Sequence, residues 1–178
     1  MELWDVYDGN GKPTGKIVPR GVRTLKNGEY HLVVHIWPIS KDGALLIQRR
    51  SHKKRMMPGI WAATGGSAIA GENSLTAAKR ELFEELGITS QLEFIKRMRK
   101  RNSFVDIYAT RVRATVDSLK LQKSEVASAK WVSIQTLENM VECGEFHNYG
   151  ENYFSHIFDF AKKVKDEKTV LSAQGENI

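Results

Sequence analysis

The sequence predicts an α/β domain built on a mixed β-sheet, and two observations carry this prediction. Runs of β-branched and aromatic residues typical of strands, such as HLVVHIWPI, stand before, between and after segments with helical periodicity. The chain has 178 residues, of which 41% are hydrophobic, which is enough for one domain with its own core. Strands interleaved with helices in one domain indicate the α/β class.

The first segment, residues 1–29, is predicted to form a β-hairpin extension. The strand-like runs ELWDVY and KIVPR flank DGNGKPTG, whose glycine, asparagine and proline residues favour turns. The runs HLVVHIWPI and ALLIQRR then give two sheet strands, which the turn Lys41-Asp42-Gly43 connects. A loop rich in basic residues and methionine follows, and it leads to PGIW.

Residues 73–86 are predicted to form the central helix. Asn73 or Ser74 can cap its start, and Gly87 supplies the left-handed residue that ends it. Further along the chain, QLEFIKRMR, SFVDIYATRVRA and AKWVS have the composition of strands. Ser133 caps a second helix through IQTLENMVE, and an amphipathic helix closes the domain. An apolar stripe on the central helix is expected to face the sheet, formed by Leu75, Ala78, Leu82 and Leu86.

Composition narrows the classes of function. The sequence has no long uncharged apolar run, so no membrane span is expected, and its acidic start does not resemble a signal peptide. A single cysteine, Cys143, excludes an internal disulfide and suits a reducing cytoplasm. The formal net charge of +6 permits an anionic partner, although it also serves solubility. We expect a cytoplasmic protein whose partner is a small phosphorylated substrate rather than a nucleic acid.

Three glutamates crowd one face of the central helix. Glu81, Glu84 and Glu85 stand at i, i+3 and i+4, where like charges repel and weaken a helix. Arg80, four residues before Glu84, offers local relief. A hard divalent cation such as Mg²⁺, which favours carboxylate and phosphate oxygens, would also resolve the repulsion. A plain solvated acidic face is the alternative that these three residues alone leave open.

The wider spacing favours the metal. From Gly66 to Ile88 the chain satisfies the pattern G-x5-E-x7-R-E-U-x-E-E-x-G-U, with U a bulky aliphatic residue. This is the signature of the Nudix family, and the chain resembles that family strongly. The resemblance implies an α/β/α sandwich with residues 30–165 as the Nudix domain, the Nudix box at 66–88 and a polar C-terminal tail at 166–178. It also implies metal-dependent attack of water on a diphosphate linkage.

Roles follow from the resemblance, position by position. Glu81, Glu84 and Glu85 look like ligands of Mg²⁺ or Mn²⁺, joined by the backbone carbonyl of Gly65. Arg80 and Glu72 would form an ion pair that orients Glu81. Two acids compete for the role of general base: Glu81 itself, and Glu125 in the loop before the last strand.

The sequence indicates the substrate-binding residues less specifically than the candidate metal ligands. Arg49 and Lys54, from the basic cluster at 49–55, are our candidates for binding phosphate, and a solvated basic loop is the alternative. His31 and His35 share one strand face, where a structural role is favoured over a site role. Four aromatic residues could stack on a base but are expected to lie in the core: Trp37, Trp61, Phe104 and Tyr108.

The segment ELWDVYDGNGKPTGKIVPR together with YHLVVHIW and PGIW is similar to the Nudix branch that includes type I isopentenyl-diphosphate isomerase. Isomerases of that type carry a catalytic cysteine and a histidine where this chain has Gly65 and Ser67. They also carry a pair of glutamates where Arg101-Asn102-Ser103 stands here. We therefore expect a hydrolase of a nucleoside di- or triphosphate or a related nucleoside diphosphate derivative. The alternatives are a non-catalytic effector or RNA-binding module and, less favoured, the isomerase. The hairpin could mediate a homodimer.

Overall fold

A computed structural model describes residues 2–21 and 25–175, with the backbone alone for residues 168–175. Strand β1 (Leu3–Tyr7) pairs antiparallel with β2 (Pro13–Pro19) in a two-stranded sheet. In the turn between them, Asp8 Oδ1 accepts hydrogen bonds from the backbone N–H groups of Asn10 and Lys12, both at 2.9 Å. The N-terminal hairpin is thus confirmed.

The main sheet has seven strands. They are β3 (His31–Ile39), β4 (Leu45–Arg50), β5 (Trp61–Ala62), β6 (Thr64–Ser67), β7 (Glu93–Arg99), β8 (Ser103–Arg111) and β9 (Val126–Val132). Their order is β5-β4-β3-β8-β7, with β6 also paired to β3 and β9 to β4. Strands β3 and β8 run parallel and all other pairs run antiparallel, so the sheet is mixed, as predicted.

Within the described residues, three α-helices accompany the sheet: α1 (Ser74–Leu86), α2 (Ile134–Glu142) and α3 (Ser155–Gly175). Asn73 caps α1 by accepting from the backbone N–H of Thr76, and Gly87 ends it at φ 71°. Ser133 caps α2. Helix α3 continues into the segment predicted as a polar tail, while the domain boundaries themselves stay predictions. No helix of the described ranges is both long and apolar enough to span a bilayer.

Each face of the sheet carries its own core. On one face, Leu32, Val34 and Ile36 of β3 pack with Leu82 and Leu86 of α1. On the other face, the alternate residues Trp37 and Ile39 pack with side chains of α2 and α3. The result is the predicted α/β/α sandwich. The predicted core aromatics Trp37, Phe104 and Tyr108 are buried, and Trp61 is half-buried against a core cluster.

The apolar stripe of α1 differs from the prediction at its first turn. Leu75 is 40% exposed, whereas Ala77 and Ala78 are fully buried. Ser74 occupies the sheet-facing position, because its Oγ accepts a hydrogen bond of 2.9 Å from Tyr108 Oη. The neighbouring Leu75 is thereby turned towards solvent, so its predicted burial was wrong.

Strands β3 and β4 diverge, and this divergence makes room for a site. They pair only at Ile39 and Leu45, while β6 lies along the other end of β3. Between β6 and β4 the carboxyl group of Glu85, from the last turn of α1, reaches Gln48 of β4 and Gly65 of β6.

Candidate functional site

Arg80 of α1 organises the acidic residues of the Nudix box. Its Nε and Nη2 donate to the two carboxylate oxygens of Glu72 at 2.7 and 2.9 Å, a bidentate pair. Its Nη1 donates to Glu81 Oε1 at 2.8 Å and to Glu84 Oε2 at 3.2 Å. Hydrogen bonding to Glu72 comes first among the causes that raise the pKa of Arg80, so Arg80 stays charged. The ion pair between Arg80 and Glu72 that the resemblance implies is therefore present.

Glu85 lies in a different environment. Its side chain is almost completely buried, and its Oε2 accepts from Gln48 Nε2 at 2.8 Å and from the backbone N–H of Gly65 at 2.9 Å. Both donors are neutral. Burial, followed by the charge of Glu81, raises the pKa of Glu85 to about 8. The site therefore contains a buried acid that has hydrogen bonds and no cationic partner among the described residues.

Two glycines let these acids approach the backbone. A Cβ at Gly66 would lie 2.5 Å from Glu81 Oε1, so a side chain there would displace that carboxylate. A Cβ at Gly65 would lie 2.0 Å from the carbonyl oxygen of Val34, and Gly65 has φ 150°. The two consecutive glycines at the start of the box are therefore required by the close packing of β6 against β3 and α1.

The donor set suits a hard cation. Glu81 Oε2, Glu84 Oε1 and Glu85 Oε1 make no hydrogen bond among the residues that the structure describes. Carboxylate oxygens of this kind are the ligands that Mg²⁺ and Mn²⁺ prefer. However, within residues 2–21 and 25–175 no three His, Cys, Asp or Glu side chains converge on one point that could hold a metal ion. Arg80 draws Glu81 and Glu84 towards itself, so the ligand set stays a prediction.

The other candidates from the sequence lie around β4 and the loop after it. Lys54 Nζ forms an ion pair with Glu125 Oε2, and the charge of Glu125 contributes to the raised pKa of Glu85 after burial and Glu81. Arg49 is exposed, and its Nε donates to the carbonyl oxygen of Gly59 at 2.9 Å. Glu125 and Lys54 thus lie near the acidic cluster, whereas Arg49 is engaged with its own loop.

Arg50, like Arg49, is bonded to its own loop, because its Nε and Nη2 donate to the carbonyl oxygen of Met56 at 3.3 and 3.2 Å. Its charge affects the half-buried Tyr149 together with that of Glu85, although burial is the main cause of the raised pKa of Tyr149. A bulge lies between Arg49 and Arg50 in their pairing with β9, so the two side chains do not follow simple strand alternation. The side chain of Tyr149 is held at this place, because its Oη accepts a hydrogen bond from the backbone N–H of Ala63 at 3.1 Å.

The N-terminal hairpin contacts the Nudix box directly. Asp5 Oδ2 accepts from the backbone N–H of Gly71 at 2.8 Å, and the carbonyl oxygen of Leu3 accepts from Ala70 N–H at 2.8 Å. Burial is the main cause that raises the pKa of Glu81, and Arg80 opposes this rise most strongly. Arg20, which follows β2, opposes it to a smaller extent. The hairpin therefore adds a positive charge to the surroundings of the acidic cluster.

Sequence reasoning missed two residues of this site, Gln48 and Tyr149, and within the basic cluster at 49–55 it chose Arg49 rather than Arg50. Gln48 had a readable signal, since it is a polar residue in the otherwise apolar run ALLIQ. Arg50 depends on a bulge and Tyr149 on a long-range contact, and neither leaves a local pattern.

Comparisons with known proteins identify the family and the fold. The NUDIX domain profile matches residues 29–149. An uncharacterised Nudix hydrolase of Listeria monocytogenes is 39% identical over 84% of this chain and 90% of that protein. An isopentenyl-diphosphate Delta-isomerase of Pectobacterium atrosepticum is 28% identical over 95% of this chain and 99% of that protein. The crystal structure of DR0079 from Deinococcus radiodurans has a TM-score of 0.72 at 22% identity, covering 93% of this chain and 98% of that chain, and shows the same fold.

Proposed function

The chain belongs to the Nudix hydrolase family, and from this premise we propose that it hydrolyses a diphosphate linkage with the help of Mg²⁺ or Mn²⁺. The substrate is a nucleoside di- or triphosphate or a related nucleoside diphosphate derivative. One observation carries the proposal: Glu85 is buried beside Glu81 with only neutral hydrogen-bond donors, so its ionised form needs a cation from outside the chain.

The carboxylates of Glu81, Glu84 and Glu85 and the carbonyl group of Gly65 would hold the cation. A divalent cation there neutralises the charge of the diphosphate and makes water a stronger nucleophile at neutral pH. Arg80 and Glu72 keep Glu81 in place, because Arg80 is tied to Glu72 by two hydrogen bonds and to Glu81 by one.

Glu81 is our candidate for the general base. Its Oε2 makes no hydrogen bond with any described residue, and burial raises its pKa against the opposing effect of Arg80, which makes it a better proton acceptor than an exposed glutamate. Glu125 is the second candidate, and its ion pair with Lys54 would have to open before it could accept a proton. The substrate phosphates meet the positive charges of Lys54 and Arg50, the latter in place of Arg49.

A substrate panel tests the proposal. Purified protein is incubated with nucleoside diphosphates, nucleoside triphosphates and nucleotide sugars, with Mg²⁺ or Mn²⁺ or with a chelator, and released phosphate and monophosphate are quantified. We expect metal-dependent release from at least one compound class. The same assay on Glu125→Gln tests the second candidate for the base, since loss of the base lowers kcat about 100-fold or more and Glu125 is not among the proposed metal ligands. Inactivity across the whole panel would favour a non-catalytic effector module.

The alternatives fit the site less well. A module that only senses an effector or binds RNA has no need of the buried Glu85. An isomerase of the related branch would need a thiol at the position of Gly65, and Cys143 is exposed at the end of α2, with its Sγ towards the carbonyl oxygen of Met140. A cytoplasmic location and a homodimer stay predictions.

A further inference from the structure

Two aromatic side chains hold the imidazole ring of His35 in one orientation. Tyr153 Oη lies 2.7 Å from His35 Nδ1, and Trp37 Nε1 donates a hydrogen bond of 3.1 Å to the same oxygen. Trp37 and Tyr153 are both fully buried, and Tyr153 precedes α3 directly. The hydroxyl group of Tyr153 therefore connects a fixed donor to the histidine ring.

This arrangement determines which ring nitrogen of His35 carries the proton. Indole Nε1 can only donate, so Tyr153 Oη accepts from Trp37. The hydroxyl proton of Tyr153 has no other acceptor among the described residues, and a buried hydroxyl that donates to nothing is costly. Tyr153 therefore donates to His35 Nδ1. His35 must then be neutral with its proton on Nε2.

The Nε2–H group of His35 is left for a ligand. It makes no hydrogen bond with any residue in the described ranges. It is also not one of the fully buried polar atoms that lack a partner. The ring is half-buried and packs against Tyr149, with ring centroids 4.6 Å apart. Burial, with a smaller effect of His147 and Lys100, lowers the pKa of His35 to about 3, in agreement with a neutral ring.

Two neighbours of His35 interact with Glu85. His35 is the register partner of Gly65, whose backbone N–H donates to Glu85. Tyr149, which packs on the His35 ring, is close enough to Glu85 for the carboxylate to add to the rise that burial causes in its pKa. Gly65 and Tyr149 thus each adjoin His35, and each interacts with Glu85.

The charges around His35 favour an anionic ligand. Lys100 Nζ is anchored on the carbonyl oxygen of Tyr149 at 2.7 Å. After burial, the charges of Arg50 and Lys100 lower the pKa of His147, and Lys100 also acts on His35. A neutral N–H donor with Lys100 close by, and with Arg50 next to the neighbouring His147, suits a phosphoryl oxygen, which accepts hydrogen bonds and carries negative charge.

We propose that His35 binds the substrate by donating Nε2–H to a phosphoryl oxygen, with Tyr153 and Trp37 as positioning residues that fix the donating tautomer. The identity of the phosphoryl compound as a substrate rests on the proposed hydrolase function, but the hydrogen bond itself does not. Both can therefore be tested separately.

Nitrogen NMR of the protein labelled at histidine tests the tautomer. We expect the His35 signals of an imidazole protonated at Nε2 alone in the free wild-type protein. In Tyr153→Phe, which lacks the hydroxyl group, the signals should move towards a mixture of both tautomers. A wild-type ring protonated at Nδ1, or at both nitrogens, at neutral pH would overturn the proposal.

Binding of inorganic pyrophosphate in the presence of Mg²⁺, measured by calorimetry, tests the ligand without any turnover. His35→Phe removes the donor but keeps an aromatic ring, and we expect it to weaken binding about 10- to 100-fold, as for a hydrogen bond to a charged group. His35→Gln retains an N–H donor and should stay within about threefold of the wild type. His156→Phe, which removes an exposed histidine bonded to Lys96, is the matched control and should change nothing.

Equal affinities of His35→Phe and wild type, or no pyrophosphate binding by the wild type, would overturn the proposal. If pyrophosphate binds through His35 and the nucleotide panel nevertheless shows no turnover, the hydrolase function fails while this inference stands. With an active substrate, His35→Phe should raise KM by a similar factor, and His35→Gln should restore it.

Discussion

Glu85 and Asp106 are two buried carboxyl groups of the same fold, and they have different hydrogen-bond partners. Both side chains are almost inaccessible to water. Asp106 of β8 receives the bidentate guanidinium group of Arg97, with N–O distances of 2.6 and 2.7 Å. Glu85 receives one side-chain amide and one backbone N–H. One acid has its counter-charge within the chain, whereas the other has hydrogen bonds alone.

The difference separates structural from functional acids. A buried ion pair such as that of Asp106 is complete within the fold, because its charge is balanced where it lies. Glu85 is near a second acid, Glu81, which is paired with Arg80, whereas Glu85 has no cationic partner among the described residues. When Glu85 is ionised, its negative charge is therefore not balanced by a described side chain, and a divalent metal ion would balance it.

The largest expected effect concerns Glu85, the buried acid without a counter-charge within the described residues. Glu85→Gln should lower kcat about 1000-fold or more on any compound that the wild type hydrolyses, because a metal ligand supports several kcal/mol of transition-state stabilisation. Its amide oxygen can still accept from Gln48 and Gly65, so the fold is retained. Steady-state kinetics measure the loss.

Thermal unfolding provides the control for Glu85→Gln. Without metal, the variant should be as stable as the wild type or more stable at neutral pH, because burial raises the pKa of Glu85 and ionisation of that carboxyl opposes folding. Glu138→Gln removes an exposed acid of α2 and should leave activity unchanged. Retained activity in Glu85→Gln would show that Glu85 is not a metal ligand.

The next largest effect concerns Asp106, the buried acid that is paired with Arg97. Arg97→Met leaves Asp106 buried without its counter-charge and should lower the free energy of unfolding by about 3 kcal/mol, near the lower end for broken buried pairs because Arg97 is partly exposed. The melting temperature should fall by about 6–12 °C. Activity per folded molecule should persist below that temperature. A stable but inactive Arg97→Met protein would contradict the division between the two acids.

A smaller effect is expected for Arg80, which bonds to Glu72 and also to the candidate metal ligands Glu81 and Glu84. Arg80→Lys keeps the positive charge but cannot form the bidentate pair with Glu72, and Glu81 loses its fixed orientation. We expect kcat/KM to fall about 10- to 100-fold, as is typical for residues that orient metal ligands. Lys79→Gln, at an exposed position of the same helix, is the control for charge. An unchanged kcat/KM in Arg80→Lys would mean that the network around Arg80 only stabilises the helix.

Much of the fold could be predicted, because the signals were local. The N-cap Asn73, the terminating Gly87 and the hairpin turn each depend on a few neighbouring residues. The ion pair of Glu72 and Arg80 was expected from the resemblance to the Nudix family, whose signature lies within one loop–helix segment, and it is present.

The parts that could not be predicted depend on contacts between distant segments. Gln48 meets Glu85 only because β4 and α1 are brought together by the fold. A bulge separates Arg49 from Arg50 in their pairing with β9, and simple alternation cannot place a bulge. The tautomer proposed for His35 depends on Tyr153, which is 118 residues away along the chain.

Metal binding to the protein freed of metal is the measurement that tests the difference between the two acids most directly. Mn²⁺ or Mg²⁺ at about ten times its dissociation constant should stabilise the wild type by about 1.4 kcal/mol and raise its melting temperature by about 3–6 °C. Arg97→Met should show the same rise from a lower starting point. Glu85→Gln should show little or none at the same concentration. An equal rise in Glu85→Gln and wild type would contradict the assignment of Glu85 as the acid that the fold reserves for a metal ion.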